Sequence, residues 1–398
     1  MSPKIDIFAL LPDTFDADAF ADEIIRARPN SLIYMGHYVK SGPDSPLVFK
    51  GYYRHQPPGV NITWEPFSSR SVPMSDRLRY LLLPVLSLML ISRLFVFCLW
   101  LGFKYRVQTV ALWNEFMCAI FGVLRRLGLF KRVVFFSGDW LQGSALRTGM
   151  WSYINKEMFF PAVDWICCRM SDMTIHASEA IPEARDRYWG RKITRAELPY
   201  EPPLMVKCME GSEEKPRKKI LFLGGLRGDS GMDLVLSALP ALRERLGDVS
   251  VKIVGPTTQS VVELEKKAVV LGLGELVECT GPADRQSFDS LFSDCFCGVN
   301  VITNLDSHSS KGLPAKVMDY FQYLLPVLVT VGVGRVVDSI REHELGLVVE
   351  PDIDAVTAAL ICLYEKRADY VDNLRLFIKT RPHTNLVKIL DPEAEATA

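Results

Sequence analysis

Short apolar runs alternate with amphipathic helical patterns throughout the C-terminal half of the chain. Lys219–Leu223 (KILFL) is a continuous apolar run that predicts a buried strand, and Met232–Arg245 has the apolar spacing of a helix. The same alternation predicts strands at Val249–Val254, Leu276–Thr280, Cys297–Ile302, Pro326–Thr330 and Gly346–Val349, and helices at Val261–Leu271, Arg285–Phe292, after Pro314, at Arg335–Glu342 and at Asp354–Glu365. Strands that alternate with helices indicate a parallel sheet covered by helices on both faces.

The N-terminal half shows the same pattern less regularly. It predicts strands at Ile5–Leu11, Ser31–Met35, Val107–Trp113, Arg132–Phe136 and Met173–Ala177, and helices at Ala17–Ala27, Glu115–Leu127 and Trp151–Met170. Residues 201–218 are rich in proline and charge and lack periodicity, which is typical of a linker. We therefore predict an α/β protein with Rossmann-like, doubly wound domains at 1–200 and 219–365. A helical segment and tail at 366–398 would return toward the N-terminal domain.

One stretch, residues 80–103, departs from this pattern. It is almost wholly apolar, carries Arg93 as its one charge, and has basic residues at both ends. Its length would allow it to span a bilayer, which takes about 20 apolar residues. However, Arg93 near the bilayer centre would cost about 2.5–3.5 kcal/mol, and a span would separate strands of one sheet. We expect a helix or hairpin on the membrane surface, with a buried core helix and a true span as alternatives.

Chain length, net charge and cysteine spacing limit the functions that the protein can have. The 398 residues suffice for two cores, and a net charge of -1 gives no broad attraction to nucleic acid. The nine cysteines form no C-x-x-C pair, so they suggest buried apolar residues in a reducing compartment, not a zinc site or a disulfide framework. The N-terminal apolar run is short and is followed by acids, which is typical of a strand and not of a signal peptide.

The segment 307–330 (SHSSKGLPAKVMDYFQYLLPVLVT) combines a polar loop, a short helix and a buried strand. Pro314 suits the first helical turn because its missing N–H needs no partner there, and the amides before it are placed to bind an anion. Lys316 and Asp319 are three residues apart and share a helix face. A cation, a carboxylate and exposed amides would thus meet at the carboxyl edge of a sheet, where open α/β folds bind ligands. The alternative to a ligand site is that this segment is an ordinary loop, helix and strand, as found in any doubly wound domain.

This segment resembles the donor-sugar loop and helix of the GT-B retaining glycosyltransferases (glycosyl transferases group 1, or family 4-like), whose pattern reads E-G-x-P-x-K-x-x-E-Y-x-x-x-x-x-P-V. The matching residues are Gly312, Pro314, Lys316, Tyr320, Pro326 and Val327. The two glutamates of the family fall on Lys311, which reverses the charge, and on Asp319, which is one methylene shorter. The resemblance extends over residues 220–365 and implies a GT-B fold, with two Rossmann-like domains that face each other across a cleft.

The first strand, loop and helix of the donor domain are usually written G-R-L-x-x-x-K-G in this family. Ile220–Ala238 resembles that pattern at Gly224, Leu226 and Gly231. The family's arginine and lysine, which bind the donor diphosphate, fall on Gly225 and Ser230. We expect Arg227 and Lys311 to supply the two missing charges, because a nucleotide diphosphate needs about two cations or a metal. The alternative is that Arg227 is merely exposed to solvent and does not contact the diphosphate.

The resemblance also implies the rest of the donor site. Gly255 and Gly281 would turn the chain where the family places the nucleotide base, and Asp319 would accept hydrogen bonds from the ribose. Amides for the diphosphate or the sugar would come from a group of residues in the polar loop: Ser309, Ser310, Gly312 and Leu313. Gly224, Gly225 and Lys316 complete the expected set.

Candidates in the N-terminal half follow strand ends. Asp139 lies just past one predicted strand and His176 near the end of another, in a TIHASE segment that resembles the family's serine-ending strand. An acid or imidazole there would orient the acceptor hydroxyl. A helix cap for Asp139 and a hydrogen-bonded core histidine for His176 are the alternatives. His37 is a third candidate after a strand.

The resemblance implies a glycosyltransferase that moves a sugar from a UDP- or GDP-linked donor to a saccharide acceptor, without a metal or other cofactor and with retention of configuration. The apolar stretch suggests a lipid-linked acceptor, work in surface polysaccharide or glycan assembly, and a peripheral or monotopic position on the cytoplasmic face of the membrane. No nucleic-acid partner is expected. An inactive glycosyltransferase-like scaffold is the first alternative, because both expected cations are displaced. A sugar-nucleotide epimerase is the second, although the chain offers few acids and histidines for it.

Overall fold

The computed structural model describes residues 4–12, 15–39, 48–63, 92–113, 115–138, 140, 154–201, 203–207, 217–226, 230–255, 259–281, 283, 287–303, 314–334 and 336–390. The chain forms two compact units. The first is drawn from Met1–Ser41, Ser45–Pro203 and His383–Ala398, and the main segment of the second is Leu204–Pro382. Each unit has its own sheet and its own apolar core.

The first unit is built on a seven-stranded sheet. Its strands are β1 (Lys4–Pro12), β2 (Leu32–Val39), β3 (Val48–His55), β4 (Arg106–Leu112), β5 (Arg132–Ser137), β6 (Met173–His176) and β7 (Glu197–Pro199). The order is β3-β2-β1-β4-β5-β6-β7, and all neighbours run parallel except β3, which pairs antiparallel with β2. Along β1, Phe8 and Leu10 enter one core cluster while Ile7 and Ala9 enter another, so both faces of the sheet are covered.

The helices of the first unit are α1 (Phe15–Ala27), α2 (92–104), α3 (Glu115–Arg126), α4 (Phe160–Met170) and α5 (Ala180–Trp189). A π-helical turn, Ile154–Phe159, precedes α4, where the sequence predicts one continuous helix. Pro161 in the first turn of α4 explains the break, because it has no N–H to donate to the preceding turn.

Helix α2 contains the described part of the apolar stretch. Leu94, Phe97, Cys98 and Leu101 are buried in the core, whereas Phe95, Val96 and Phe103 on the opposite side are exposed. The structure therefore combines the predicted core helix with an exposed apolar surface; residues 80–91 lie outside the described ranges. Among the helices in those ranges, none is both long and apolar enough to cross a membrane.

The second unit is built on a six-stranded parallel sheet. Its strands are β8 (Lys219–Leu223), β9 (Ser250–Val254), β10 (Val277–Gly281), β11 (Cys295–Asn300), β12 (Val327–Thr330) and β13 (Gly346–Val349). The order β10-β9-β8-β11-β12-β13 reverses its direction between β8 and β11. Ile220 and Phe222 enter one core cluster and Leu221 and Leu223 the other, so this sheet too is buried on both faces.

The helices of the second unit are α6 (Met232–Leu246), α7 (Gln259–Val270), α8 (Phe288–Phe292), α9 (Ala315–Gln322), α10 (Val336–Glu342), α11 (Ile353–Glu365) and α12 (Arg367–Thr380). Asp352 caps α11, and its carboxylate accepts the Ala355 N–H at 3.0 Å. A last helix, α13 (Leu386–Leu390), belongs to the first unit, where Leu386 and Leu390 are buried and Thr109 Oγ1 donates to the Leu390 carbonyl at 2.9 Å.

The predicted fold class is confirmed: the protein is α/β with two parallel-sheet domains. The sequence missed β3 and the three-residue β7. Strand β3 is antiparallel and, among the described strands, pairs with β2 only, so its sequence (VFKGYYRH) lacks the continuous apolar run of a central strand. The chain returns to the first unit at His383, after α12, which remains with the second unit.

Candidate functional site

A buried polar network lies where β5 and β6 end. Ser137 is the last residue of β5 and His176 the last of β6, and Arg185 of α5 is fully buried beside them. Arg185 donates from Nε to Asp164 Oδ2 at 2.6 Å, and from Nη2 to Asp164 Oδ1 and Ser137 Oγ at 2.7 Å each. Burial alone would lower the pKa of Arg185, but the Asp164 carboxylate outweighs it and raises that pKa, so the guanidinium stays charged.

His176 uses both ring nitrogens inside this network. Nδ1 lies 3.3 Å from Arg185 Nη1 and Nε2 lies 3.2 Å from Glu197 Oε2, and the side chain is 2% exposed. Burial, with the Arg185 charge, lowers the pKa of His176 to about 4, so the ring is neutral near pH 7. Nδ1 then accepts from the guanidinium and Nε2–H donates to Glu197. The role of His176 in orienting an acceptor stays a prediction, and this geometry fits the alternative of a hydrogen-bonded core histidine.

Glu197 connects the network to the surface. Its carboxylate accepts hydrogen bonds from Lys192, from Thr194 Oγ1 at 2.7 Å and from His176. Burial alone would raise the pKa of Glu197, but these hydrogen bonds outweigh it and lower the pKa to about 2. Because the described charges of this network are paired with one another, the network stabilises the ends of β5 and β6.

Asp139 lies outside the described residues, between Gly138 and Trp140. Trp140 is almost completely buried, and Arg185 Cζ lies 5.8 Å from its ring centroid. The chain therefore passes directly beside the polar network at this point, and the predicted role of Asp139 stays a prediction. His37 lies within β2, and its side chain is outside the described part of the chain.

Three strands of the second unit end in glycine turns that pack closely together. The Gly224 N–H donates to the Val254 carbonyl at 2.7 Å, and the Gly255 N–H donates to the Gly281 carbonyl at 3.0 Å. Gly224 and Gly281 have φ values of 98° and 74°, a region that favours glycine. A Cβ on Gly255 would lie 2.2 Å from the Gly224 carbonyl oxygen. The structure thus brings the predicted residues Gly224, Gly255 and Gly281 together at the carboxyl edge of the sheet.

Helix α9 begins beside this edge. Pro314 is its N-cap residue, one position before the predicted first turn, and it has no side-chain oxygen with which to cap the helix. Lys316 Nζ lies 4.3 Å from the centroid of the Phe222 ring in β8, within the range of a cation–π contact. Asp319, 8% exposed, lies in the middle of the helix. The predicted pair Lys316 and Asp319 therefore lies on a helix that contacts β8 through Lys316.

Two hydroxyl groups hold the strand ends around α9. Tyr320 OH accepts the Leu223 N–H at 2.8 Å and lies 3.3 Å from the Val299 carbonyl, to which it donates. Thr330 Oγ1, at the end of β12, accepts the Ile302 N–H at 2.8 Å and donates to the Ile302 carbonyl at 2.9 Å. Both positions are fully buried. They fix the chain immediately before the polar loop of residues 304–313.

Most of the remaining predicted site lies outside the described residues. This applies to Arg227, Ser309, Ser310, Lys311, Gly312 and Leu313. Gly225 is described and exposed, and Leu226 after it is buried in the core. In the described ranges, no group of three or more His, Cys, Asp or Glu side chains is arranged to hold a metal ion.

The donor-side elements match a known family. Residues 217–366 match the model described as glycosyl transferases group 1, a range that contains all six strands of the second sheet, the three glycine turns and α9. The second unit carries a group 1 glycosyltransferase domain. For this domain, the predicted family and the predicted enzyme class, a glycosyltransferase, are confirmed. A comparison with curated protein sequences finds no significant match.

Solved glycosyltransferase structures share the architecture of the whole chain. Sucrose-phosphate synthase (tll1590) from Thermosynechococcus elongatus has a TM-score of 0.65 at 13% identity, covering 98% of each chain. Anabaena HepE in complex with UDP and glucose has a TM-score of 0.63 at 14% identity, again covering 98% of each chain. The lipopolysaccharide outer core galactosyltransferase WaaB has a TM-score of 0.53 at 12% identity, covering 93% of this chain and 95% of its own. At such identities the likeness establishes the GT-B fold.

Two features of the structure were not predicted from the sequence. Tyr320 matches the family pattern, but nothing in the pattern shows that its hydroxyl reaches β8 and β11. Gly298, within the apolar strand CFCGVN, was the available signal, because a glycine inside a strand often marks a close approach by another group. The Asp164–Arg185 pair had no such signal, since the two residues are separated along the chain and each lies among ordinary helix-forming neighbours.

Proposed function

We propose that the group 1 domain binds a nucleotide-diphosphate sugar at the carboxyl edge of its sheet and that the chain transfers the sugar to a saccharide acceptor on the first unit. The observation that carries this proposal is the close packing of the Gly224, Gly255 and Gly281 turns beside the start of α9. Open α/β sheets bind ligands at such edges, where the strand order reverses. HepE structures with UDP and with UDP-glucose support a nucleotide sugar as the donor class.

Two helices would direct their amino ends at the diphosphate. Helix α6 follows the β8 turn and α9 follows the β11 loop, and their N-cap residues, Gly231 and Pro314, have no side chain that caps the first amides. Such amides and the helix dipole favour an anion. Arg227 and Lys311 would add the two charges that the family places at Gly225 and Ser230.

These groups would act on the departing diphosphate. When the bond from the sugar to the diphosphate breaks, negative charge develops on the phosphate oxygen, and preorganised donors lower the barrier by stabilising it. The acceptor hydroxyl forms the new glycosidic bond and passes its proton to the departing phosphate oxygen, and the nucleoside diphosphate leaves. By resemblance the transfer proceeds without a metal and with retention of configuration. Asp319 would hold the ribose hydroxyls, and Lys316 would lie beside the bound donor.

Nucleotide binding tests the donor half of the proposal. Purified protein is titrated with UDP and GDP by calorimetry, and its melting temperature is followed in parallel. Binding to the folded state alone adds about 2.7 kcal/mol of stability at a concentration 100 times the dissociation constant, so the melting temperature should rise with one of the two. Absence of binding by both nucleotides and by their glucose conjugates would refute the proposed donor class.

Alanine variants test whether Arg227 and Lys311 supply the charges that the family places at Gly225 and Ser230. Arg227→Ala and Lys311→Ala should each weaken the binding of the nucleotide that the protein prefers, because each removes a charge-assisted contact with the diphosphate. Arg243→Ala is the matched control: this exposed arginine lies in the last turn of α6, at the opposite end of that helix from the β8 turn. Equal affinities for all four proteins would show that other groups neutralise the diphosphate.

We further propose that the first unit contacts an anionic membrane surface, where it would meet a lipid-linked acceptor. Phe103 at the end of α2 is 73% exposed, and Leu127 after α3 is 72% exposed. The two lie in adjoining segments, because a Cβ on Gly102 would lie 3.1 Å from Phe130 and 3.3 Å from Leu129. Arg126 and Lys131 are exposed nearby in the chain, and exposed apolar side chains beside cations suit an anionic interface.

Vesicle sedimentation tests the membrane contact. The protein should sediment with phosphatidylcholine–phosphatidylglycerol vesicles, and the double variant Phe103→Glu/Leu127→Glu should remain in the supernatant. Leu376→Glu serves as the control, because Leu376 is 61% exposed on the second unit. If the double variant and the control sediment equally, Phe103 and Leu127 do not contact the membrane.

A scaffold without catalytic activity is the second candidate function. The observation that favours it is the exposed Gly225, which lies where the family has its phosphate-binding arginine. A scaffold would neither release nucleotide from UDP- or GDP-sugars nor transfer sugar to an acceptor. Nucleotide release from a donor panel, assayed with and without a lipid extract, therefore distinguishes the two candidates.

A further inference from the structure

Strand β8 is paired with β9 further along its length than it is paired with β11. Toward β9 the paired positions continue to Leu223 and Val254, at the end of both strands. Toward β11 they end at Leu221 and Gly298, although β11 itself stays paired with β12 as far as Asn300 and Val329. The sheet is therefore open between β8 and β11 over its last positions, where the strand order reverses.

Tyr320 occupies this opening. If the parallel pairing continued in register, Leu223 would lie beside Asn300, and its N–H would donate to the Val299 carbonyl. These are the two backbone groups that the Tyr320 hydroxyl contacts, accepting from Leu223 N at 2.8 Å and donating to Val299 O at 3.3 Å. The side chain thus replaces one hydrogen bond between the strands with a two-bond bridge.

The surroundings of Tyr320 make this bridge rigid. A Cβ on Gly298 would lie 2.4 Å from the Tyr320 ring, so the glycine provides the space in which the ring lies against β11. The residue is fully buried, and burial raises the pKa of its hydroxyl well above the usual value. The hydroxyl therefore stays protonated and can serve as donor and acceptor together.

We propose that Tyr320 is a positioning residue for the donor site, which holds β8 and β11 apart so that the diphosphate fits between the loops that follow them. This inference rests on the proposed function. Leu223 precedes the Gly224–Gly225 turn, and Val299 lies in the last part of β11, so the bridge sets the distance between the carboxyl ends of these two strands. It also ties that distance to α9, which carries Lys316 and Asp319.

The phenylalanine variant tests this role. Tyr320→Phe keeps the ring and removes the bridge, so Leu223 N–H and Val299 O can bond directly and narrow the opening. We expect the affinity for UDP or GDP, whichever the wild type binds, to fall about three- to tenfold in calorimetry. Gly298→Ala, which displaces the ring without removing the hydroxyl, should weaken the same binding.

Tyr323→Phe is the matched control. Its hydroxyl donates to Asp289 Oδ1 at 2.9 Å, and it lies three residues from Tyr320 at the end of the same helix. A structural role alone would lower the melting temperature of the Tyr320→Phe and Tyr323→Phe variants and leave nucleotide affinity unchanged in both. A positioning role reduces affinity in Tyr320→Phe and Gly298→Ala but not in Tyr323→Phe.

The outcomes separate this inference from the function on which it rests. If the wild type binds UDP or GDP and the Tyr320→Phe variant binds it equally tightly, the positioning role is refuted and the proposed donor site stands. Should Tyr320→Phe fail to fold, unchanged affinity in Gly298→Ala refutes the role in its place. If the wild type binds neither nucleotide nor their glucose conjugates, the donor site and the role of Tyr320 are refuted together.

Discussion

The backbones of Gly224 and Gly255 touch: a Cβ on Gly255 would lie 2.2 Å from the Gly224 carbonyl oxygen and 2.6 Å from its carbonyl carbon. The contact joins the turn after β8 to the turn after β9, two of the loops at the proposed donor site. Neither partner is a side chain that could rotate away. The shape of this part of the site therefore requires a residue without a Cβ at position 255.

Gly255→Ala should separate the two turns and weaken nucleotide binding more than it lowers the melting temperature. Overpacking of this kind costs about 1–3 kcal/mol, because backbone must move. Calorimetry with UDP and GDP measures the affinity. Gly138→Ala is the control, since a Cβ there meets nothing within 4 Å. Full nucleotide affinity in Gly255→Ala would show that the turns do not form the donor site.

Asp164→Asn should strongly destabilise the first unit. It leaves the fully buried Arg185 charge without its carboxylate, and breaking a buried ion pair in this way costs about 3–5 kcal/mol. All tryptophans of the chain precede residue 190, so tryptophan fluorescence during urea unfolding reports on the first unit alone. Asp22→Asn is the control: its ion pair with Arg54 is exposed and should contribute less than about 1 kcal/mol. Similar losses in both variants would contradict this account.

His176 should make the first unit less stable as the pH falls. Its folded-state pKa of about 4 is below the value of about 6.5 for an unfolded histidine, so the unfolded state binds more protons between these values. Stability is complete above about pH 6.5 and decreases as the pH is lowered toward 4. Between pH 7 and pH 5 the loss should be about 2 kcal/mol.

The histidine contribution is measured as a difference between variants. His176→Gln keeps a donor and an acceptor but cannot titrate, so its loss of stability between pH 7 and pH 5 should be smaller than that of the wild type. The exposed His343→Gln, in the second unit, should behave as the wild type does in tryptophan fluorescence. Identical pH dependence in His176→Gln and wild type would mean that the ring is not held neutral.

Asp352→Ala should destabilise the second unit by about 1 kcal/mol, because it removes the carboxylate that accepts the Ala355 N–H at the start of α11. Asp354→Ala, two residues later, removes an acid from the first turn and should cost about 0.3–1 kcal/mol through the helix dipole alone. Both losses of stability are measured from the unfolding transition of the second unit, which is detected by circular dichroism but not by tryptophan fluorescence. A larger loss in Asp354→Ala would contradict the assignment of the cap.

The second sheet could be predicted almost completely from the sequence, and the reason is physical. Strands buried on both faces must be apolar at every position, so runs such as Lys219–Leu223 and Gly346–Val349 were identified within one residue of their observed bounds. Strand β3 could not be predicted in this way, because it lies at the edge of the first sheet as far as the structure describes the chain. The π-helical turn before α4 could not either, because periodicity does not distinguish it from an α-helical turn.

The candidate site could be predicted only in part. Gly224, Gly255 and Gly281 follow from turn chemistry at strand ends, and the structure brings them together. The surroundings of His176 could not be predicted, because a sequence does not show which charges surround an imidazole: Arg185 and Glu197 come from other elements and contact both ring nitrogens. The Tyr320 bridge depends on where two strands stop pairing, which no local pattern encodes.

Helix α13 has a consequence for the order in which the protein folds during synthesis. Leu386 and Leu390 fill the core of the first unit, whereas the second unit is complete by Pro382. Domains generally fold as the ribosome releases them. Here the unit that begins first is completed last, so during translation the second unit can fold while the first still exposes the apolar site for α13. A stop codon just before His383 would therefore damage the part of the protein made earliest.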